Sequence, residues 1–445
     1  MKVMVTVVPL AGHVGPVSGL VAELVGRGHD VRVYTGSRYR QRFTDLGATV
    51  VTWSAARDFD ENDLGAAFPL ARRPGPLRGL MLVWHGFIGT APDQVRDLSQ
   101  ELDREPVDVL VADPMSFGGV LTAELRGLPW ATLNVLPFNQ IGDSAPEAFH
   151  VKPARGALGR RRDRLLWLAY RAMTAPFHWA YNRARSEVGL PRDRRPYGTA
   201  LLSDWLVLAT GCPGLDGPWL RLPDHTHFVG RLDIAGAGLP AADPVVVAGV
   251  DPASRPLVVV TQGTIDVEPA DLIRPALQGL ADLDVDVLVT SGRRGVVDVG
   301  VPPPANTRVV DLVDFRAVLP RTSVLVTNGG WGGVLAGLGA GVPLVLAARG
   351  AADKEYIAAR VARAGAGIDL RGGRPRPAAV AEAVREVLTD PAYAAHARQI
   401  KSELDRLSGA RGAADLVERL AETRAPVGRP GDAKPHSATS GDDPG

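Results

Sequence analysis

The chain has 445 residues and carries 50 Lys and Arg against 49 Asp and Glu, a formal net charge of +1. That length predicts two large domains or three ordinary ones, and hydrophobic residues at 45% with charged residues at 22% exclude wholesale disorder. Near-zero net charge excludes a general nucleic-acid binder, and the single Cys212 excludes an internal disulfide or a thiolate metal cage and fits a reducing, cytoplasmic setting.

The apolar run at 3–8, closed by Pro9, is too short for a signal sequence and predicts a first buried strand. A helix at 17–26 and strands at 29–35 and 48–51 follow. Short β-branched runs alternating with amphipathic segments, with glycine at the junctions, are the pattern of βαβ units in a parallel sheet. A loop holding Phe68, Pro69 and Pro74 leads into a long helical segment, then a strand at 107–112, a helix at 118–126 and a strand at 130–135. Residues 152–190 break the alternation with a helix that is basic at first (Lys152, Arg155, Arg160, Arg161, Arg162, Arg164) and then aromatic. Charge runs usually mark a solvated helix face; weak peripheral contact with an anionic membrane through 152–168 is the alternative.

Strands at 205–209 and 227–229 complete a first domain at 1–233, and the Ala, Gly and Pro-rich stretch 234–256 reads as a linker. The alternation restarts in a second domain at 257–424: strand 257–261, helix 270–281, strands 285–290 and 307–310, helix 315–319, strand 323–327, helix 331–340, strand 343–347 and helix 353–364. Helices near 376–388, 391–407 and 411–422 close it, and a tail at 425–445 lacks any apolar pattern and is expected to be disordered. The stretch 322–348 has no charged residue and is long enough to span a bilayer, yet its clustered glycines and Pro343 would strand backbone polar groups in lipid. A strand, a glycine turn, a helix and a second strand account for it. The fold class is therefore α/β, with two doubly wound, Rossmann-like domains facing a central cleft.

In a parallel sheet, ligands bind beyond the carboxyl ends of the strands. There the chain places Asn328-Gly329-Gly330-Trp331-Gly332-Gly333, followed at once by a helix, and the turn Gln262-Gly263-Thr264 after strand 257–261. Glycine lets amides approach a phosphate closely, and a helix N-terminus adds about half a positive charge. Tight strand–helix packing is the competing explanation for any one such turn; two at one edge could hold both phosphates of a diphosphate.

The run from Arg308 to Ile368 resembles the donor-binding region of the UDP-glycosyltransferase superfamily, whose members have the GT-B fold and in bacteria decorate natural products. The resemblance extends over nearly the whole chain, with 1–20 similar to the amino-terminal Gly-His-x-x-Pro segment through Gly12 and His13. It implies donor contacts from Gly12, Gly263, Thr264 and the 328–333 turn, with Asn328 standing where most relatives have a histidine and Gly333 where they have Ser or Thr. Leu312 and Val313 match the nucleobase-lining segment. Ala336 occupies the place of a glutamate that binds ribose hydroxyls in UDP users, which leans the expectation toward a dTDP-sugar. Asp353 and Lys354 match the acidic residue and glutamine that grip the sugar. The implied reaction is a single inverting displacement that demands no metal ion or other cofactor.

That reaction needs a base for the acceptor hydroxyl. His13 lies at the carboxyl end of the first strand and titrates near neutrality, and Asp113, at the carboxyl end of strand 107–112, matches the family's carboxylate partner for it. Trp84, Phe87, Met115, Phe117, Phe138 and Phe149 are candidates for a pocket holding a lipophilic aglycone, although large aromatics more often belong to a core. Asp284-Val285-Asp286 resembles a metal-binding pair but starts a strand, far from the cleft, and reads as a surface turn. A nicotinamide oxidoreductase is rejected because Gly12, Gly15 and Gly19 lack the dinucleotide spacing. A silent nucleotide-sugar-binding or auxiliary protein and a GT-B sugar-nucleotide epimerase remain as alternatives.

Overall fold

The Val-rich runs form short strands, and every strand pairing in both sheets is parallel, with helices carrying most of the crossovers and a helix-free segment joining the strands at 286–290 and 307–310. The computed structural model describes residues 1–69, 81–138, 145–146, 149, 151, 154, 156–216, 222–232, 255–263, 268–348 and 352–429. The first sheet holds β1 (Lys2–Thr6), β2 (Asp30–Thr35), β3 (Thr49–Thr52), β4 (Val109–Ala112), β5 (Trp130–Asn134), β6 (Leu206–Thr210) and β7 (Thr226–Gly230), in the order β3-β2-β1-β4-β5-β6-β7. The second holds β8 (Leu257–Thr261), β9 (Asp286–Thr290), β10 (Thr307–Val310), β11 (Val324–Thr327), β12 (Leu344–Leu346) and β13 (Gly367–Asp369), in the order β10-β9-β8-β11-β12-β13. Residues of the central strands are buried on both faces, as in Val258, Val259 and Val260, which explains their unbroken hydrophobicity.

In each sheet the strand order reverses once, between β1 and β4 and between β8 and β11. Helices leaving opposite faces open a crevice at such a switch point. The principal helices are α1 (Ala11–Gly26), α2 (Ala91–Arg104), α3 (Phe117–Arg126), α4 (Gly156–Glu187), α5 (Ile273–Leu280), α6 (Trp331–Gly339), α7 (Ala352–Arg363), α8 (Pro377–Thr389), α9 (Pro391–Arg406) and α10 (Gly409–Thr423). α1 starts at Ala11, six residues before the expected helix at 17–26, so His13 sits in a helical first turn rather than a loop. Pro16 lies in the second turn of that helix, where it leaves the Gly12 carbonyl without its i+4 amide donor.

Chain order and spatial order part company at the second domain's end. The side chains of Ala413, Ala414, Val417 and Leu420 on α10 pack with Val3, Val5, Val17 and Leu20 in the core of the first sheet. The boundary expected at 424 therefore misplaces this helix: its apolar face belongs to the first unit. Residues 425–429, expected to begin a disordered tail, are also held there. Val427 is buried, its amide donates to the Trp205 carbonyl at 2.9 Å, and its own carbonyl bonds His227 Nε2 at 2.7 Å. The expected linker, apart from Arg255 and Pro256, and the rest of the tail lie outside the described residues.

The segment after β6 crosses the other way. Cys212 and Leu215 pack in the core of the second sheet, and the Gly214 amide donates to Glu403 Oε2 at 2.9 Å. Arg360 of α7 is fully buried, ion-paired with buried Asp216 and bonded to the Phe138 carbonyl. These crossings tie the two sheets to one another.

Candidate active site

His13 and Asp113 meet at the first switch point. Asp113 follows β4, and its amide bonds the Thr6 carbonyl of β1 at 2.9 Å. Its carboxylate, buried to 1% exposure, accepts from the Val8 amide at 3.2 Å and from the Met115 amide at 3.1 Å. His13 Nδ1 lies 3.0 Å from both carboxylate oxygens. Those contacts hold the ring with Nδ1–H donating to Asp113, so Nε2 is the nitrogen left to accept a proton. Burial works against a charged imidazole, but the Asp113 carboxylate outweighs it, with Asp353 and Glu61 adding to the effect. The His13 pKa is accordingly raised above that of a free imidazole.

Glu61 has no motif to mark it in sequence. Its Oε2 accepts the Ala11 amide at 2.7 Å, at the first residue of α1, and its Oε1 accepts the Tyr39 hydroxyl. A carboxylate at a helix N-terminus is favourable, and this one anchors the turn that carries His13.

The second switch point is built from backbone. Gln262 follows β8 and Asn328 follows β11, and the Asn328 amide donates to the Gln262 carbonyl. Gln262 is itself tied down: its Nε2 donates to the Glu268 carbonyl at 2.9 Å and its Oε1 accepts the Ile273 amide at 3.0 Å. One of the two Asn328 N–H donors expected to serve a ligand is thus engaged within the protein, which leaves the other. Gly263 and Gly329 adopt φ of +74° and +85°, values that side-chain-bearing residues avoid. A Cβ on Gly329 would lie 3.3 Å from the Lys354 carbonyl, so that glycine lets the turn rest directly on the start of α7. Gly330 caps α6 without a side-chain bond, and Val334 is the first residue whose amide bonds back to it, at 3.0 Å. The amides of residues 331–333 have no helical partner by the geometry of any helix start. A Cβ at Gly332 or at Gly12 would meet no heavy atom within 4 Å, so both glycines border open space.

The two switch points face each other. Asp353 is near enough to His13 for each charge to act on the other, although burial dominates and raises the Asp353 pKa. Lys354, beside it, is buried. A continuous line therefore runs from Gly263 through Asn328, Gly329, Lys354 and Asp353 to His13 and Asp113.

Several expected contacts are not in that line. Trp331 is buried at the interface of the sheets, donating from Nε1 to Thr210 Oγ1 at 3.0 Å and packed on Gly211; its side chain joins the halves instead of facing a donor. Val313 belongs to the second core, whereas Leu312 is half-exposed beside it. Gly333 lies along the Thr327 side chain, and Thr264 lies outside the described residues. Among the aromatics, Phe87 and Phe117 are buried in the first core and Phe138 packs edge-on against Phe228, because large rings gain most from full burial. Phe149 is half-buried. Met115 is half-buried next to Asp113 and stays at the cleft. Trp84 lines a groove of about 310 Å³ between residues 84–92 and α4, and none of the His13 line borders it. Asp284 pairs with Arg255 at 2.7 Å on the surface, as a turn residue would. Among the described residues, no cluster of three or more His, Cys, Asp and Glu suits a metal ion.

Residues 274–418 match the family described as erythromycin biosynthesis protein CIII-like, C-terminal domain. The 4'-demethylrebeccamycin synthase of Lentzea aerocolonigenes is 34% identical over 94% of this chain and 99% of its own length. UDP-glucosyltransferase B1 of Starmerella bombicola is 30% identical over 89% of this chain and 93% of its own. Among solved structures, the calicheamicin glycosyltransferase CalG4 superposes with a TM-score of 0.71 at 22% identity, over 96% of this chain and all of that one. VinC, a glycosyltransferase crystallised in complex with dTDP, gives 0.66 at 22% identity over 95% of this chain and all of that one. The fold is GT-B. The chain belongs to the UDP-glycosyltransferase superfamily, as a glycosyltransferase of the bacterial natural-product type.

Proposed function

We propose that the protein is an inverting glycosyltransferase that moves a hexose or deoxyhexose from a nucleoside-diphosphate sugar, dTDP in preference to UDP, to a hydroxyl of a hydrophobic small molecule in the cytoplasm. One observation carries this reading: the line of contacts that sets a carboxylate-backed histidine at one switch point opposite a glycine turn and a helix N-terminus at the other. His13 Nε2 takes the proton of the acceptor hydroxyl as its oxygen attacks the anomeric carbon. The bond from that carbon to the diphosphate oxygen breaks, and its electron pair leaves with the diphosphate. Asp113 stabilises the imidazolium that results. The amides of residues 331–333 and the α6 N-terminus receive the growing negative charge without a metal ion. Asp353 accepts from sugar hydroxyls, as a carboxylate does most strongly.

The dTDP preference rests on Ala336, which offers no acceptor to a ribose 2′-hydroxyl, and on VinC, which binds dTDP. A donor panel with release of nucleoside diphosphate as the readout tests both statements. Release is expected with dTDP-sugars above UDP-sugars and is expected to collapse in His13→Ala. Unchanged release in that variant would remove the base, and tighter binding of the UDP-sugar would remove the nucleotide preference.

A further inference from the structure

The long helix α4 has two unequal parts. From Phe177 onward its inner face packs into the first core through Ala180, Tyr181 and Ala184. Between Gly156 and Pro176 only Asp163 and Tyr170 are buried. On the outer side Leu158 is 82% exposed, Leu165 66%, Leu168 62%, Met173 55% and Trp179 51%. At 100° per residue, Leu158, Leu165, Leu168 and Trp179 fall within one side of the helix, with Ala172 and Pro176 between them, and Met173 lies on its edge. An apolar stripe of that length is not ordinary surface for a soluble helix.

Arginine lines one edge of the stripe, at Arg160, Arg164 and Arg171, and Arg161 falls within it. Arg160, Arg161, Arg164 and Arg171 are all exposed, and among the described residues none of the four has an ion pair. The helix has two carboxylates: Asp163 is buried and paired with Arg162 at 2.7 Å, and Glu187 is at the far end, paired with Arg183. No exposed acid interrupts the face from Gly156 to Ser186. A second copy docking isologously would set arginine against arginine across the contact, which opposes self-association. An anionic lipid surface satisfies both features at once, taking leucine and tryptophan into the acyl boundary and arginine among the phosphates. Among the described residues no helix is long and apolar enough to cross a membrane, so the geometry is that of a helix lying on one.

We infer that the outer face of α4, through Leu158, Leu165, Leu168 and Trp179 with the arginines within and beside that stripe, docks the protein on anionic membrane. The inference is independent of the chemistry assigned to the cleft. It is tested by co-sedimenting the full chain with vesicles of phosphatidylcholine and phosphatidylglycerol in equal parts, and with vesicles of phosphatidylcholine alone. Binding is expected only to the anionic vesicles, falling steeply between low and high salt, since each basic residue near such a surface contributes roughly a fivefold factor in partitioning. Leu165→Asp with Leu168→Asp, and separately Arg160→Glu with Arg164→Glu, should each remove at least tenfold of it. These side chains are exposed, so thermal melts of both variants should match the parent. No binding to anionic vesicles at low salt overturns the proposal. So does binding that both double variants retain, or light scattering that shows a dimer which the leucine pair dissolves while lipid binding stays absent.

Discussion

The two switch points are built from opposite materials. At the first, the working groups are side chains: one imidazole, clamped by a carboxylate that is itself clamped by two amides. At the second they are mainly backbone: amides exposed by glycine, with Gln262 and one N–H of Asn328 holding the turn in shape. The difference fits the roles proposed for them. A base has to exchange a proton, which needs a titratable atom. A diphosphate has only to be surrounded by donors, and amides supply these without adding formal charge. On the proposed function, this is how a chain with a net charge of +1 would hold a multiply charged anion.

Substitution should separate the two. The largest effect belongs to His13→Ala, with kcat/KM falling by about 10²- to 10⁴-fold while donor affinity measured by titration calorimetry changes little. A matching loss of donor affinity would mean that the histidine binds and does not exchange protons. Next comes Gly329→Val. At φ +85°, with a Cβ 3.3 Å from the Lys354 carbonyl, it strains the turn by about 1–3 kcal/mol and pushes it off α7. Donor affinity and thermal stability should drop together. Gly332→Ala is the sharper probe of the same region, because its Cβ meets no protein atom within 4 Å and its φ is ordinary for a helix start. The melting temperature should stay within error. Donor KM should rise several-fold, because a methyl group then occupies the space a phosphate would use. If KM is unmoved, the anion does not approach the α6 N-terminus.

Legibility in the sequence divides along the same line. Strand and helix alternation put both sheets on the page from hydrophobic runs alone, and His13, Asp113 and the glycine turns stood at strand ends where a parallel sheet places ligands. What stayed hidden was decided by tertiary contact. α10 has the amphipathic pattern of any surface helix, and nothing local says which sheet it covers. Trp331 sits inside a donor motif, yet its indole serves the interface through Thr210. Phe117 and Phe138 look like pocket linings and are core, because a ring's neighbours come from elements far away in sequence. Strand β13 is only three residues long, too brief for a period to register.

Glu61 is the least conspicuous of these, and it yields the smallest effect and the most specific one. It lies among Asp58, Asp60, Asn62 and Asp63 with no motif to set it apart, but its charge reaches His13 and its Oε2 anchors the Ala11 amide. A base must be neutral to work, so kcat/KM falls on the acid side as pH drops through the raised His13 pKa. Glu61→Gln keeps an acceptor for the Ala11 amide and removes the charge, so the acid limb should move to lower pH with the high-pH plateau nearly preserved. Stability runs the other way. Because folding raises the His13 pKa, the protonated ring contributes stability that is complete below the unfolded value and is lost as pH climbs through the folded one. Across that window the parent protein gains activity while giving up the stability linked to His13, and Glu61→Gln should shrink the second change as it shifts the first. A pH–rate profile measured beside pH-dependent melts checks both, and a limb that does not move would show that Glu61 holds the helix without tuning the base.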